Sequence, residues 1–314
     1  MTVLTRAVAP AALPRSSGHG PAAARRRRTA VIAYLFSLPF IASFAIFMVF
    51  PLVSSLGMSF TDFRSTDIPT PFAVAFVGLD QYTALFQNEQ FVRSMVNTLY
   101  FVGVGIPLTM AVALALAVAL NGAITRFRTV FRVGFYAPVV TSIVAVAVVW
   151  RFILQPDGLL NTLLAAIGIT GPDWLGSTAW SMPSMILMAV WRNMGTLMII
   201  FLAGLQGIPQ EVVEAAEVDG AGAWQRFVRV TLPMLRPTLL LGAVLLSVGY
   251  LQFFEEPFVM TKGGPLDSTL SISYFTFNQF GFGNYGTASA ASYVLFVAIA
   301  LLSIVQFRAF RTKE

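Results

Sequence analysis

SMVNTLYFVGVGIPLTMAVALALAVALN, residues 94–121, runs for 28 residues without an Asp, Glu, Lys, Arg or His. As a helix it would rise about 42 Å, more than the ~30 Å hydrocarbon core of a bilayer. A soluble domain has no use for such a segment, so this stretch predicts an all-α integral membrane protein. Composition agrees: 57% of the 314 residues are hydrophobic and 11% are charged, where about a quarter would be charged in a soluble domain.

Apolar runs on either side predict about six transmembrane helices, at roughly 30–55, 94–121, 133–153, 182–206, 237–258 and 286–307. The segment before the first, residues 1–29, is rich in Ala, Pro, Arg, Ser and Gly and reads as a disordered tail. Arg25 to Arg28 precede an apolar run too long for a secretory signal core, which makes that run a span. Residues 30–310 then form one membrane domain.

With the N-terminus in the cytoplasm, 15 of the 20 basic residues fall on inner segments, among them Arg126, Arg128, Arg132, Arg226, Arg229, Arg236 and Arg308. The positive-inside rule favours that orientation, with both termini cytoplasmic. The same pattern accounts for the net charge of +6 without nucleic acid as a partner. The outer connections, about 56–93, 154–181 and 259–285, are long and read as lids or docking surfaces.

Several chemistries are excluded. The chain has no cysteine, which removes thiol catalysis, disulfides and thiolate metal sites. Its one histidine, His19, lies in the polar tail, so neither a Ser/His/Asp relay nor a two-His metal centre can be assembled. Lys262 and Lys313 both follow threonine, so no Gly-Lys-Ser/Thr phosphate loop exists and ATP is not hydrolysed by that route. An intramembrane enzyme would need a nucleophile with a base, or facing carboxylates. Glu255 and Glu256 are adjacent, and neighbours on a helix point about 100° apart.

The segment from Ile208 to Pro237, IPQEVVEAAEVDGAGAWQRFVRVTLPMLRP, lies between the fourth and fifth spans. Pro209 can start a helix whose early turns hold Glu211 and Glu214, where negative charge suits the dipole. Val212, Ala215 and Ala216 share a narrow face. Asp219 and Gly220 stop the helix, since glycine accepts the left-handed cap conformation. A second short helix carries Trp224, Phe227 and Val228 on one side and Gln225, Arg226 and Arg229 on the other, and Leu232-Pro233 ends it. Patterning alone permits two readings: a docking element for another protein, or a solvated loop whose charges keep it out of the lipid.

Glu214-Ala215-Ala216, Asp219-Gly220-Ala221 and Leu232-Pro233 together resemble the EAA loop of binding-protein-dependent ABC importer permeases. In that family the loop is the coupling element that docks on an ATPase subunit. DWLGS at 173–177, WRNMG at 191–195, LAGLQGIP at 202–209, VGLDQYTALF at 77–86 and NTLYF at 97–101 extend the resemblance to about residues 30–310. TKGGPLDSTL, Thr261 to Leu270, is similar to the motif after the fifth span of sugar-type permeases of the maltose, lactose and glycerol-phosphate class.

The resemblance implies a type I importer permease, not itself an enzyme, in a bacterial-type plasma (inner) membrane. It would translocate a sugar or related polyol and have four kinds of partner: a second permease subunit, two copies of an ABC ATPase, an extracytoplasmic sugar-binding protein and membrane lipid. It also implies that this chain binds no cofactor, ATP and Mg residing in the ATPase. The alternative substrates are amino acids or peptides, against which the TKGGP segment argues.

Charge at membrane depth costs about 3 kcal/mol on insertion scales and normally faces a cavity or a partner. Arg192 with Asn193, and Glu255 with Glu256, are therefore candidates to line a sugar pathway, with Trp191 as a stacking surface and Asn278 as a more remote member. They equally suit an ion pair between helices or residues at the interface. Ala111, Ala115 and Ala119 recur every fourth residue on the second span, a spacing that favours close helix packing.

Overall fold

The computed structural model describes residues 20–70, 74–122 and 127–309. The expected tail before Gly20, and Arg126, lie outside them. Among the described residues the only strand-like pairing is an isolated bridge between Thr61 and Phe76; all other regular structure is helical.

The chain forms two units, residues 1–54 and 55–314. In the first, α1 (Gly20–Phe44) continues through a π turn at Ala45–Val49 into α2 (Phe50–Met58). The helix starts upstream of the expected span, and no residue of its apolar stretch is buried.

The second unit holds the remaining spans. A short helix, α3 (Asp80–Gln87), precedes α4 (Glu89–Gly122). Then come α5 (Arg128–Val140) and α6 (Ile143–Ile153), α7 (Leu159–Ala166) and the long α8 (Ser181–Gln206). The loop after α8 contains α9 (Gln210–Val218), α10 (Ala223–Arg226), a π turn at Phe227–Thr231 and α11 (Leu232–Met234). Next are α12 (Arg236–Leu251), α13 (Glu255–Met260), α14 (Ile272–Gly281) and α15 (Tyr285–Ala309). Four helices are long and apolar enough to cross a membrane, and two bent pairs make six spans if each pair is one.

α8 is the centre of this unit. It packs on α4, α5 and α12, and α12 in turn packs on α4 and α15. The buried face of α4 runs Phe91, Ser94, Thr98, Phe101, Ile106, Thr109, Ala113, Ala117 and Leu120, the three- and four-residue spacing of one helical face. The expected alanine stripe is corrected: the fully buried pair is Ala113 and Ala117, while Ala111 and Ala115 point outward. Phe101 and Leu120 are buried on the same face as that pair.

Two spans are broken where one helix each was expected. The third bends by 100° at Thr141 and Ser142. Pro138 withdraws a backbone donor one turn before the bend, and Thr141 is already extended. The fifth ends at Leu251, so Glu255 and Glu256 stand at the start of α13 and not within the span. A helix running on through Pro257 would lose a hydrogen bond and clash with a carbonyl one turn back. In the first turn of α13 no such donor is required.

The long connections fold on one another. Ser65 N–H donates to Gly283 O at 2.8 Å, Gly286 N–H to Phe63 O at 2.9 Å, and Thr287 Oγ1 to Gln81 Oε1 at 2.9 Å. The TKGGPLDSTL segment is a compact loop, held from within by Thr261 and Thr269, whose hydroxyls lie 2.7 Å apart. Asn97 of α4 holds it from outside, donating to Asp267 O at 2.7 Å and Leu270 O at 2.9 Å.

Candidate functional site

In the loop after α8, Pro209 is the N-cap and Glu211 lies in the first turn of α9. The helix ends in a Schellman turn. Gly220 N–H donates to Glu217 O and Ala221 N–H to Ala216 O, both at 3.0 Å, with Gly220 at φ +81°. Asp219 is the last half-helical residue before it. α10 then begins, with Gly222 N–H donating to Gln225 Oε1 at 3.2 Å. An ion pair of 2.5 Å between Glu217 and Arg226 spans the turn. The guanidinium's hydrogen bond and charge hold the Glu217 carboxyl below the usual carboxylate range.

The second helix of this loop does not end at Leu232-Pro233. The helical path continues through the π turn, where Leu232 N–H reaches back five residues to Phe227 O, and through α11. It bends by 67° at Leu235 into α12. Pro233 lies directly after the π turn, in the first residues of α11.

α9 packs chiefly on α10 and the π turn, the other parts of its own loop. Glu211, Glu214 and Ala215 are exposed, and Val218 and Trp224 expose 89% and 75% of their surface. Large apolar side chains thus lie bare here beside charged ones. Leu232 and Pro233 are half-buried beneath it.

The second site is a polar cluster between α4, α8, α12 and α13. Glu256 is buried, and its Oε2 has no hydrogen-bond partner in the chain; nor has the Nε of Arg192. The two groups interact electrostatically, yet no ion pair within 4 Å joins them among the described residues. Asn193, next to Arg192, donates to Ala189 O at 2.9 Å. The hydroxyl of Tyr250 lies 2.8 Å from Thr109 Oγ1.

Of the residues singled out at membrane depth, Arg192, Asn193 and Glu256 come together, with Glu255 beside them. Trp191 is on the same helix but turned to a different surface. Its ring lies 5.6 Å from that of Trp150, and the two border a pocket of about 430 Å³ lined also by Thr141, Ala145, Val146 and Val149. No hydrogen bond or ion pair among the described residues ties Asn278, on α14, to the cluster. Tyr250 and Thr109 were missed. Their one signal in the sequence, a hydroxyl within an apolar span, is shared by many threonines and tyrosines that do nothing special.

A family model described as "binding-protein-dependent transport system inner membrane component" matches residues 90–312. The chain is similar to the lactose transport system permease protein LacF of Rhizobium radiobacter, 34% identical over 290 residues, 90% of this chain and 95% of that protein. It is also similar to the arabinooligosaccharides transport system permease protein AraP of Bacillus subtilis, 32% identical over 286 residues, 88% of this chain and 87% of that one.

Among solved structures it resembles a chain of a bacterial ABC transporter involved in the import of the acidic polysaccharide alginate. The TM-score is 0.79 at 27% identity, over 92% of this chain and 98% of that chain. A bacterial alginate ABC transporter in complex with an alginate pentasaccharide-bound periplasmic protein matches with a TM-score of 0.75 at 27% identity, over 91% and 96% of the two chains.

Proposed function

Given that this chain belongs to the family of binding-protein-dependent transport system inner membrane components, we propose that the α9–α10 loop is where an ATPase subunit drives it and that the polar cluster lines its solute path. The chain is a multi-pass membrane protein and the permease subunit of an ATP-driven sugar importer. ATP hydrolysis belongs to a separate subunit. Relatives named for lactose and arabino-oligosaccharides favour a carbohydrate over an amino acid or peptide.

One observation carries the coupling assignment: a helix bearing Glu-Ala-Ala, closed by a left-handed glycine turn, stands off the bundle on a loop joining α8 to α12. Its bare Val218 and Trp224, with Glu211 and Glu214 beside them, suit an apolar cleft rimmed by positive charge. Two copies of an ABC ATPase, carrying ATP and Mg, would dock there and on a second permease chain. A sugar-loaded binding protein would deliver to the opposite side, as the named complex of the alginate transporter suggests. The positive-inside rule, applied to the basic segments, favours a cytoplasmic coupling loop and cytoplasmic termini.

For the solute path, support comes from chemistry. A sugar presents hydroxyls that both donate and accept, and Arg192, Asn193 and Glu256 offer both functions in one cluster. The Trp150 and Trp191 rings offer an apolar surface to the C–H face of a pyranose.

The test is purification from native membranes in mild detergent, with ATP hydrolysis assayed in the wild type and in Glu214→Lys. A co-purifying ATPase and second permease, with activity lost in the variant, is the expected result. The chain emerging alone, with no hydrolysis in any fraction, would sink the coupling assignment.

A further inference from the structure

Arg25 to Arg28, expected in a disordered tail, stand instead on regular helix: α1 starts at Gly20 and runs through them without a break into the first span. Orienting a span needs only basic residues somewhere in its flanking segment. Fixing them to the helix itself adds a geometry that orientation does not require. Successive helical positions are about 100° apart, so four in a row pass right round the circumference and form a collar, not a stripe. A folded protein approaches a helix from one side and would meet part of such a collar. A layer of lipid headgroups encloses it.

Nothing nearby in the chain balances this charge. No Asp or Glu occurs before Asp62, and the first turn of α1 holds no acidic residue. Arg25 and Arg28 are like charges at neighbouring positions of one face, and the positive end of the helix dipole lies just upstream. The compensating anions have to come from outside this segment.

Depth points to their source. Beyond the collar, Thr29–Met58 is 30 residues of helix with no charged side chain. Along its axis that is about 45 Å, against about 40–45 Å for a bilayer with both headgroup layers included. A helix of that length, placed across the membrane, leaves Arg25 to Arg28 level with the phosphates of one leaflet, not free in the water beyond.

We propose that Arg25 to Arg28 are a binding collar for anionic phospholipid of the cytoplasmic leaflet, which holds the first span at a fixed depth. Arginine pairs with phosphate through two parallel N–H donors. Every phospholipid offers a phosphate, but in phosphatidylcholine a cation on the same headgroup cancels its charge. The collar therefore selects headgroups of net negative charge, as basic clusters beside a span do. It acts in this way whatever solute the chain carries.

Because the chain has no cysteine, Ala30→Cys, an exposed position just inside the collar, takes a single fluorophore. The labelled full chain, with the subunits that co-purify, is reconstituted in phosphatidylcholine vesicles. A small fraction of the lipid carries a nitroxide quencher high on its acyl chain, on phosphatidylglycerol in one sample and on phosphatidylcholine in the other. The phosphatidylglycerol quencher is expected to act at a several-fold lower mole fraction. Salt at about 1 M, where the screening length is about 3 Å, should remove most of that difference. Replacing all four arginines by Gln should also remove it, and replacing them by Lys should keep most of it.

Equal quenching by the two lipids at low salt would overturn the proposal, as would a preference that survives in the Gln variant, since other basic residues would then attract the lipid. A fluorophore that neither lipid quenches would show the collar covered by protein and overturn it as well. The salt arm uses the native arginines, so it decides even if the Gln variant fails to insert.

Discussion

Gly195 of α8 passes so close to the carbonyl of Phe135 in α5 that an ideal Cβ on it would lie 2.0 Å from that oxygen. The obstacle is backbone, which cannot rotate aside, so only glycine lets the two helices meet. Gly195→Ala should lower thermal stability by at least the ~1–3 kcal/mol of ordinary overpacking, read as a drop in the detergent melting temperature. Gly103→Ala is the control, because nothing lies within 4 Å of its added methyl. Equal melting of the two variants would contradict the α5–α8 contact.

Gly220 makes a different demand. At φ +81° it closes the Schellman turn, a conformation that costs an L-residue roughly 1–2 kcal/mol. Gly220→Val should leave the protein inserted at normal levels and cut sugar uptake by about tenfold, the factor matching ~1.4 kcal/mol. Uptake at the wild-type rate would mean the turn has no part in coupling.

The Glu217–Arg226 pair gives a pH signature. Folding depresses the Glu217 pKa, so its stabilising contribution is present above the unfolded value near 4.3. That contribution is lost as pH falls through the folded value. Hydrogen-exchange protection of residues 210–226 should therefore hold from pH 7 to 5 and fall only in more acid solution. In Glu217→Gln it should be lower at pH 7 and show no such step.

Asn97 fastens the TKGGPLDSTL loop to α4. In Asn97→Leu, the Leu270 carbonyl loses its donor, and the Asp267 carbonyl keeps only the 3.2 Å bond from Leu270 N–H. A cost of roughly 1–3 kcal/mol is expected. Trypsin should then cut faster after Lys262, which is exposed in the loop. Unchanged digestion would show that the loop holds itself together.

Glu256→Gln separates stability from transport. Removing a buried carboxylate whose Oε2 has no partner in the chain should raise stability by roughly 1–3 kcal/mol. If the carboxylate meets sugar hydroxyls, uptake should fall nonetheless. Higher stability with full uptake would place Glu256 off the path.

The spans were legible because hydropathy is a property of contiguous sequence: 182–206 was read for Ser181–Gln206, and 286–307 for Tyr285–Ala309. Their breaks were not. Thr141-Ser142 and Gln252–Phe254 are short and uncharged, too little to interrupt an apolar run, and hydropathy carries no direction. The glycine stop at Gly220 was legible since its chemistry is local. Arg192 and Glu256 stood out by charge, but the Thr109–Tyr250 bond near them joins residues 141 apart, which no local pattern reports. The alanine stripe misled because periodicity reports that a face exists and not which way it turns.

The loop carrying α9 has two mechanical exits. One is the backbone at Ile208-Pro209, which leads into α8 and thus to Arg192 and Asn193. The other runs past Gly220 and the π turn into α12 and Tyr250. A load applied to α9 is therefore divided, like the pull on a yoke, between two rods that converge again at the same cluster. Movement of one rod against the other would alter that cluster, and a shift of both together would leave it undisturbed.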